Sequence, residues 1–282
     1  KATNIETGDL VALKKVGIKN FQEGVAVATL REIKLLQELD HPHIISLFDV
    51  FSHKQSIYMS MPLMETDLEI IIKEPTIMLT PSHIKAFLKS TLESLKYLHE
   101  SGILHRDIKP SNVLVAKGEI KLIDFGLACS VEAPDTKLLS NVVTLWYRAP
   151  ELLFGAQHYG PAVDLWATGC ILAELLLRRP FLQGNNELNQ LALIFQARGT
   201  PDVADWPGVN LLPNFTSFTF APAPPLQEIF TAASTDTLDL LRGLLQLNPN
   251  KRLSATQALS HPYFTNDPPP TPLNELPLPP KK

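Results

Sequence analysis

Cysteine is scarce in this chain of 282 residues, which contains only Cys129 and Cys170. Two cysteines are too few for a disulfide framework, and neither has the spacing of metal ligands, so we expect a reducing compartment. A large excess of one charge is also lacking, since the net charge is −4. The charge therefore gives no overall reason to expect direct binding to nucleic acid or to a membrane.

Long hydrophobic runs are missing as well. The most apolar stretch, residues 169–177, is short and contains Glu174, so it indicates a buried helix rather than a membrane span. Hydrophobic residues nevertheless make up 45% of the chain, enough for a sizeable core in one large or two medium domains. Residues 267–282 are rich in proline and have little to bury, so we expect this tail to be extended or bound to something else.

The most informative segment is residues 105–112, which read His-Arg-Asp-Ile-Lys-Pro-Ser-Asn. An aspartate such as Asp107 can orient a hydroxyl group and accept its proton, while Lys109 screens a negatively charged phosphate. Asn112 and Asp124, the latter in an Asp-Phe-Gly triplet, would supply the oxygen ligands that Mg²⁺ prefers. The segment therefore predicts phosphoryl transfer.

A predicted hairpin of residues 113–115 and 120–123 holds Asn112 and Asp124 at its open end. Each of the short motifs alone is a weak signal. Because they occur in order and are followed by Ala-Pro-Glu at residues 149–151, together they predict a phosphotransferase.

Near the start, residues 11–14 alternate as a strand, which places Ala12 and Lys14 on one face. A small residue beside a lysine suits an adenine ring and its phosphates, although an exposed strand lysine is the alternative. Residues 25–39 have helical spacing and contain Glu32. This glutamate either belongs to a solvated face or holds Lys14 in an extended conformation.

Residues 61–67 change in character from strand to turn, and we place an interlobe hinge there. The carbonyl of Pro62 is free to accept from an adenine amino group, and Met64 offers both of its backbone groups. Asp67 could accept from ribose hydroxyls, act as an acid at a helix N-terminus, or do both.

The spacing of apolar residues and the helix-capping residues predict further strands and helices. Asp164 starts one of the predicted helices and is either a cap or, as we favour, a buried acceptor for N–H groups of residues 105–112. We predict short strands at residues 44–45 and 57–59, a helix that starts at residue 81 and ends around residues 101–102, and helices at residues 164–177, 236–247 and 254–259.

The chain resembles a eukaryotic protein kinase over almost its whole length, because the motifs described above occur in that family's order. Residues 142–148 look like the cyclin-dependent kinase branch, in which Val143 turns its carbonyl towards Arg148 and leaves a pocket for a substrate proline. Lys109, together with Thr144, is similar to serine/threonine kinases. The resemblance implies an α+β bilobal protein kinase fold, with a small β-rich N-lobe and a large, mainly helical C-lobe, and a preference for Ser/Thr-Pro sites.

The implied organisation is an N-lobe at residues 1–64, a C-lobe at residues 65–264 and a proline-rich tail at residues 265–282. The glycine-rich loop of the family does not precede the first strand here, so we expect a further segment upstream of Lys1.

Within that branch, four stretches look most like the CDK-activating kinases of transcription factor IIH: residues 35–39, 64–69, 79–85 and 151–156. The likeness implies a cyclin partner of the cyclin H type, a MAT-type assembly factor and a nuclear location. The implied substrates are the C-terminal repeats of RNA polymerase II and other cyclin-dependent kinases.

The resemblance assigns roles to individual residues, with ATP and Mg²⁺ as cofactors. The implied catalytic residues are Asp107, Lys109 and Thr144, and the implied metal ligands are Asn112 and Asp124. The implied ATP-binding residues are Ala12, Lys14, Glu32, Pro62, Met64, Asp67 and Leu114. Val143 and Arg148 form the implied proline pocket.

One region departs from the family. Relatives carry a phosphorylated threonine in the activation segment, which runs from Asp-Phe-Gly to Ala-Pro-Glu, and three basic residues clamp it. Here Arg31 and Arg106 fill two of these basic positions, Cys129 takes the third, and Leu139 stands at the threonine position. We hypothesise that partner subunits, rather than phosphorylation, order the segment. Phosphorylation of Ser140 is the alternative.

Two supporting roles are also expected. His105 packs against Phe125 beneath the site rather than acting as a base. Glu151 pairs with Arg252 in the large lobe; the alternative is an exposed pair of little consequence.

Two other functions compete with a protein kinase. A pseudokinase scaffold is disfavoured because Lys14, Asp107, Asn112 and Asp124 are all present. A metabolic small-molecule kinase is disfavoured by the proline-pocket segment and by the Ala-Pro-Glu triplet.

Overall fold

The computed structural model describes residues 1–17, 27–131, 138–216, 218–219 and 221–280. A four-stranded antiparallel sheet with a helix beside it forms the first part, and the rest is mainly helical. The predicted α+β bilobal fold is confirmed. The division between lobes at residue 64 stays a prediction.

The small sheet has the strand order β1-β2-β4-β3. Its strands are β1 (Ala2–Thr3), β2 (Leu10–Gly17), β3 (Asp49–His53) and β4 (Ser56–Pro62). In the register of β2 with β4, Ala12 lies opposite Met61 and Lys14 opposite Met59. The predicted strands at residues 11–14 and 57–59 therefore pair directly.

Helix α1 (Val27–Glu38) turns its buried side chains, which include Glu32 and Leu36, towards the Asp-Phe-Gly region. Glu32 is 5% exposed, so the solvated-face alternative is wrong. Residue 25, where we predicted the helix to start, lies outside the described residues.

The remaining strands form two small sheets, in the orders β5-β7-β8 and β6-β9. These strands are β5 (Thr66–Asp67), β6 (Ile103–Leu104), β7 (Val113–Ala116), β8 (Glu119–Leu122) and β9 (Cys129–Ser130). The β7-β8 pair is the predicted hairpin, and β5 ties the hinge region to it. The hairpin thus connects the hinge with the expected metal ligands.

The large lobe is built around two long helices. The N-cap Thr80 and Pro81 at the first turn begin helix α3 (Pro81–Glu100), and its predicted apolar stripe is buried. Helix α5 (Ala162–Leu177) is buried on nearly every side, with Trp166 fully buried. The helices of this lobe are α2 (Leu68–Lys73), α3 (Pro81–Glu100), α4 (Pro150–Leu153), α5 (Ala162–Leu177), α6 (Glu187–Arg198), α7 (Leu226–Ile229), α8 (Thr235–Leu244), α9 (Ala255–Leu259) and α10 (Pro262–Thr265).

Two predicted elements need correction, and one strand was missed. Residues 44–45 are not a strand but contain a single bridge from Ile44 to Leu122. The helix predicted to reach residue 247 ends at Leu244, because Pro249 has no N–H to donate to the carbonyl of Leu245. Arginine side chains donate to the carbonyls of residues 245, 246 and 247 instead. The edge strand β3 was missed since most of its residues are exposed and give no alternating pattern.

The proline-rich tail lies against the large lobe. Lys85, which is 3% exposed, donates to the carbonyls of Asn266 and Pro268 at 2.7 and 2.8 Å. Farther along, Leu276 is 8% exposed, so the expectation that the tail has little to bury is wrong there. Residues 281–282 lie outside the described part. Within that part, none of the helices has the length and apolarity needed to cross a membrane.

Candidate active site

A buried carboxylate fixes the start of the catalytic loop, residues 105–112. One oxygen of Asp164 accepts from the backbone N–H of His105 at 3.0 Å and lies 2.9 Å from His99 Nε2. Its other oxygen accepts from the N–H of Arg106 at 2.9 Å. Burial alone would raise the pKa of Asp164, but the bond to His99 and the other donors lower it below its ordinary value. The favoured prediction, a buried acceptor, is therefore confirmed.

The ring of His105 is fully buried beneath the loop. It meets Phe125 edge-on, with 5.0 Å between ring centroids, and its Nε2 lies 3.0 Å from the carbonyl of Ile123. Burial lowers the pKa of His105, which favours the neutral ring. The contact with Phe125 confirms the predicted packing role. The N–H of Asp107 donates to the other ring nitrogen, Nδ1, so both ring nitrogens are engaged within the fold.

The carboxylate of Asp107 is the centre of the site. Lys109 Nζ lies 2.6 Å from Oδ2, and the amide nitrogen of Asn112 donates to the same oxygen at 3.0 Å. Thr144 donates its hydroxyl to Oδ1 at 3.1 Å, and Lys109 also reaches that hydroxyl at 3.2 Å. The structure thus brings together all the residues predicted to be catalytic, although they come from two separate segments.

A second cluster joins the small lobe to the Asp-Phe-Gly triplet. Lys14 Nζ lies 2.7 and 2.9 Å from the oxygens of Glu32 and 3.1 Å from Asp124 Oδ1. Burial alone would lower the pKa of Lys14, but the bonds and charges of Glu32 and Asp124 raise it above its ordinary value. Lys14 in turn holds the pKa of Asp124 below its ordinary value, against the opposing effect of burial. The lysine is therefore kept charged where phosphates would lie.

The donor set of Asn112 and Asp124 fits a magnesium ion. The amide nitrogen of Asn112 donates to the carbonyl and carboxylate of Asp107, which leaves its amide oxygen to act as a ligand. Its backbone carbonyl accepts from Ile123, directly before Asp124, at 3.0 Å. Both candidate ligands present hard oxygen atoms, which Mg²⁺ prefers. They lie at the open end of the β7-β8 hairpin.

The predicted adenine-binding residues line the junction of the two lobes. Ala12 and Pro62 lie on the paired strands β2 and β4, and Leu114 pairs with Asp67 across β7 and β5. Asp67 is the N-cap of α2 and accepts from the N–H of Ile70 at 2.9 Å. Burial raises the pKa of Asp67. The helix-acid role is thus observed, while the ribose contact stays a prediction, as do the backbone contacts of Pro62 and Met64.

The expected proline pocket has its characteristic backbone. Val143 has a positive φ of 68°, which is uncommon for a β-branched residue. Its carbonyl accepts from Nε and Nη2 of Arg148 at 3.3 and 3.0 Å. Arg148 also contacts Glu187 at 2.6 Å. The contact implied by the family resemblance is present; binding of a substrate proline stays a prediction.

The expected phosphate clamp is not assembled around Leu139. Arg106 donates to the carbonyl of Leu127 at 2.7 Å and to the hydroxyl of Tyr159 at 3.0 Å. Arg31 is exposed on α1, and Cys129 is buried in β9. Burial raises the pKa of Cys129, so this thiol is kept neutral. The Leu139 side chain is 74% exposed, and Ser140 beside it is half-buried.

The end of the activation segment is firmly anchored. Glu151 and Arg252 form two parallel contacts of 2.7 and 3.0 Å, and both side chains are almost fully buried. The predicted pair is confirmed, and the exposed-pair alternative is wrong. Such buried, bidentate geometry fixes the Ala-Pro-Glu triplet to the large lobe.

Two supporting residues, Glu174 and Tyr159, were not predicted from the sequence. Glu174, 1% exposed in α5, accepts at 2.7 Å from the hydroxyl of Tyr147, three residues after Thr144. Burial raises the pKa of both groups. A glutamate within an apolar helix was a visible signal for this contact. Tyr159, the partner of Arg106, had no comparable signal because its partners lie far away in sequence.

Comparison with known proteins gives consistent matches. A model of the protein kinase domain family matches residues 1–264. Cyclin-dependent kinase 7 of Xenopus laevis is 52% identical over 283 residues, which cover 99% of this chain and 80% of that protein.

Two solved structures are also similar. A CAK complex from Chaetomium thermophilum bound to ATP-γ-S contains a chain with TM-score 0.92 and 40% identity, covering 97% of this chain and 88% of that chain. The yeast RNA Pol II CTD kinase CTDK-1 complex contains a chain with TM-score 0.89 and 37% identity, covering 96% and 90%.

Proposed function

The chain belongs to the protein kinase family, in its cyclin-dependent branch, and from this membership we propose how its residues transfer phosphate and to which proteins. It is a serine/threonine kinase that uses ATP. The proposed reaction is in-line transfer of the γ-phosphoryl group of ATP to a serine or threonine that is followed by proline.

The arrangement around Asp107 carries this proposal. Lys109, Asn112 and Thr144 all contact its carboxylate, so the side chain is held in one orientation. Asp107 accepts the hydrogen bond of the substrate hydroxyl and takes its proton as the hydroxyl oxygen bonds to the γ-phosphorus. The bond between that phosphorus and the β–γ bridging oxygen breaks, and ADP leaves. Lys109 screens the charge of the transferred group, and Thr144 holds the substrate-binding segment against the catalytic loop.

We further propose that Asn112 and Asp124 hold Mg²⁺, which would neutralise charge on the ATP phosphates. Lys14, oriented by Glu32, binds the α- and β-phosphates. The adenine ring lies between Ala12 and Leu114, with backbone contacts at Pro62 and Met64 and the ribose beside Asp67. The geometry of the Lys14–Glu32–Asp124 cluster supports this placement.

The partners and substrates are proposed from the relatives. We propose a cyclin of the cyclin H type and a MAT-type assembly factor as partners, and a nuclear location. The Xenopus relative and the CAK complex support this reading. The C-terminal repeats of RNA polymerase II are the proposed main substrate, supported by the structural likeness to a kinase of that domain, and other cyclin-dependent kinases are further substrates.

A pseudokinase scaffold is not supported. Lys14 contacts Asp124, and Asn112 contacts Asp107, while the backbone carbonyl of Asn112 accepts from Ile123, directly before Asp124. The chain therefore keeps the groups that an inactive scaffold would lack.

The test is a steady-state assay of the cyclin complex on a peptide of Ser-Pro heptads. Asp107→Asn keeps the size of the side chain but removes the base, so kcat should fall by a factor of about 10² to 10⁴ while the KM for ATP changes little. Chelation of Mg²⁺ should abolish turnover, and its return should restore it. Asp239→Asn, in an exposed ion pair with Arg242, is the matched control and should leave kcat unchanged. Equal activity of Asp107→Asn and wild type would overturn the proposal.

A further inference from the structure

The hydroxyl of Tyr159 lies between the catalytic loop and the activation segment. It accepts from Nη1 of Arg106 at 3.0 Å and donates to the backbone carbonyl of Leu139 at 2.6 Å. A tyrosine hydroxyl can donate and accept at once, so a single oxygen bridges the two segments.

The Arg106 end of this bridge is rigid. Its backbone N–H donates to the buried Asp164, its φ is 64°, and its Nε donates to the carbonyl of Leu127. Arg106 also directly precedes Asp107. The position of the Tyr159 hydroxyl is therefore tied to the residue that we propose as the base.

The other end of this bridge, at Leu139, is held through the backbone of the activation segment. The side chain of Leu139 is 74% exposed and contributes little packing. Next to it, the N–H of Leu138 donates to the carbonyl of Gln157 at 2.8 Å. Two successive residues of the activation segment are therefore bonded to the stretch at residues 157–159.

We propose that Tyr159 is a positioning residue for the kinase reaction, holding the activation segment against the catalytic loop by hydrogen bonds that need no phosphate. The Tyr159 hydroxyl accepts a hydrogen bond from Arg106, which is one of the two basic residues that remain from the expected clamp. It binds the backbone at Leu139, where relatives carry the phosphorylated side chain. This inference rests on the proposed function, because it concerns control of the same site.

The effect should appear in the use of the protein substrate. The activation segment carries the proline pocket, with Val143 and Arg148, and Thr144 beside the base. Lys14, which we propose to bind the phosphates of ATP, belongs instead to the separate cluster with Glu32 and Asp124. A loosened segment should therefore raise the KM for the peptide and lower kcat/KM, with little effect on the KM for ATP.

The test compares Tyr159→Phe with Tyr97→Phe in the complete cyclin complex on the Ser-Pro heptad peptide. Each variant loses one hydroxyl, and that of Tyr97 accepts from the N–H of Asp40, outside the contacts described for the active site. For Tyr159→Phe we expect kcat/KM for the peptide to fall about tenfold and the KM for ATP to stay within about twofold. Amide hydrogen exchange at residues 138–141 should become faster in Tyr159→Phe alone.

Several outcomes would overturn the proposal. One is peptide kinetics of Tyr159→Phe that equal those of Tyr97→Phe. Another is a parallel rise in the KM for peptide and for ATP, which indicates general destabilisation. If the wild-type complex does not phosphorylate the peptide, the proposed substrate is wrong. Hydrogen exchange then decides the role of Tyr159 by itself, and unchanged exchange at residues 138–141 rejects it.

Discussion

The catalytic loop and the activation segment lie side by side, but different interactions hold them. In the loop, His105, Arg106, Asp107 and Asn112 are each at most 6% exposed, and the buried carboxylate of Asp164 fixes its backbone. Residues 138–141 of the activation segment are more exposed, and the described contacts at residues 138–139 are hydrogen bonds to residues 157–159.

The catalytic loop thus holds the groups proposed for the reaction, and the activation segment is the part where control can act. Buried, charge-assisted hydrogen bonds fix the catalytic loop, so the groups that we propose for phosphate transfer are in place within the fold of the chain itself. Exposed backbone contacts open more easily than buried ones. The activation segment is therefore where partner subunits can act, and its far end is again anchored, through Glu151.

The largest expected effect concerns that anchored end. Arg252→Leu should lower the free energy of unfolding by about 3 to 5 kcal/mol, because it leaves the charge of Glu151 buried without its partner. Urea denaturation measures the loss. Arg242→Leu, in an exposed pair with Asp239, is the control and should cost less than about 1 kcal/mol. Equal losses in the two variants would mean that the end of the segment is no better anchored than a surface pair.

A somewhat smaller effect is expected in the catalytic loop. Asp164→Asn keeps one acceptor oxygen but turns an amide donor towards other donors, so the free energy of unfolding should fall by about 2 to 4 kcal/mol. Amide hydrogen exchange of His105 and Arg106 should become faster. Unchanged exchange there would show that the loop does not depend on this carboxylate.

The same variant gives a pH signature. The folded pKa of Asp164 is lowered, so its stabilising effect is complete above the ordinary aspartate pKa of about 3.9 and is lost as the pH falls through the folded value. The stability difference between wild type and Asp164→Asn should therefore be constant near neutral pH and shrink below about pH 4. His105, whose folded pKa is also lowered, destabilises both proteins as the pH falls below about 6.5. A difference that grows as the pH falls below about 4 would contradict this assignment.

The smallest effect is expected at the exposed part of the activation segment. Leu139→Ser changes a side chain that is 74% exposed and leaves the backbone carbonyl in place for Tyr159. We expect a change in unfolding free energy of less than about 0.5 kcal/mol and unchanged peptide kinetics. A large loss of activity would show that this side chain itself binds a partner or substrate.

Local sequence signals predicted much of the catalytic site. The hairpin that carries Asn112 and Asp124 follows from two short apolar runs around a turn, and the N-cap Thr80 marked the start of α3. Asp164 at the beginning of an apolar helix indicated a buried acceptor. Each of these predictions depended on residues close together in the chain.

Contacts between distant segments were harder to predict. The bond from Tyr159 to Arg106 joins residues 53 positions apart, and neither neighbourhood has a pattern that pairs them. Helix α6 was missed although Asn186 caps it and Gly199 follows it, because its mixed faces lack a clear apolar stripe. The Glu151–Arg252 pair, 101 positions apart, was predicted through the family resemblance.

We expect this kinase to be active without a phosphate in its activation segment. The most direct measurement is kcat/KM on the Ser-Pro heptad peptide for the active cyclin complex before and after phosphatase treatment, with phosphopeptide mapping of both samples. We predict values within about twofold of each other and no stoichiometric phosphate on Ser140. Stoichiometric phosphate on Ser140, with activity lost on its removal and in Ser140→Ala, would contradict the claim.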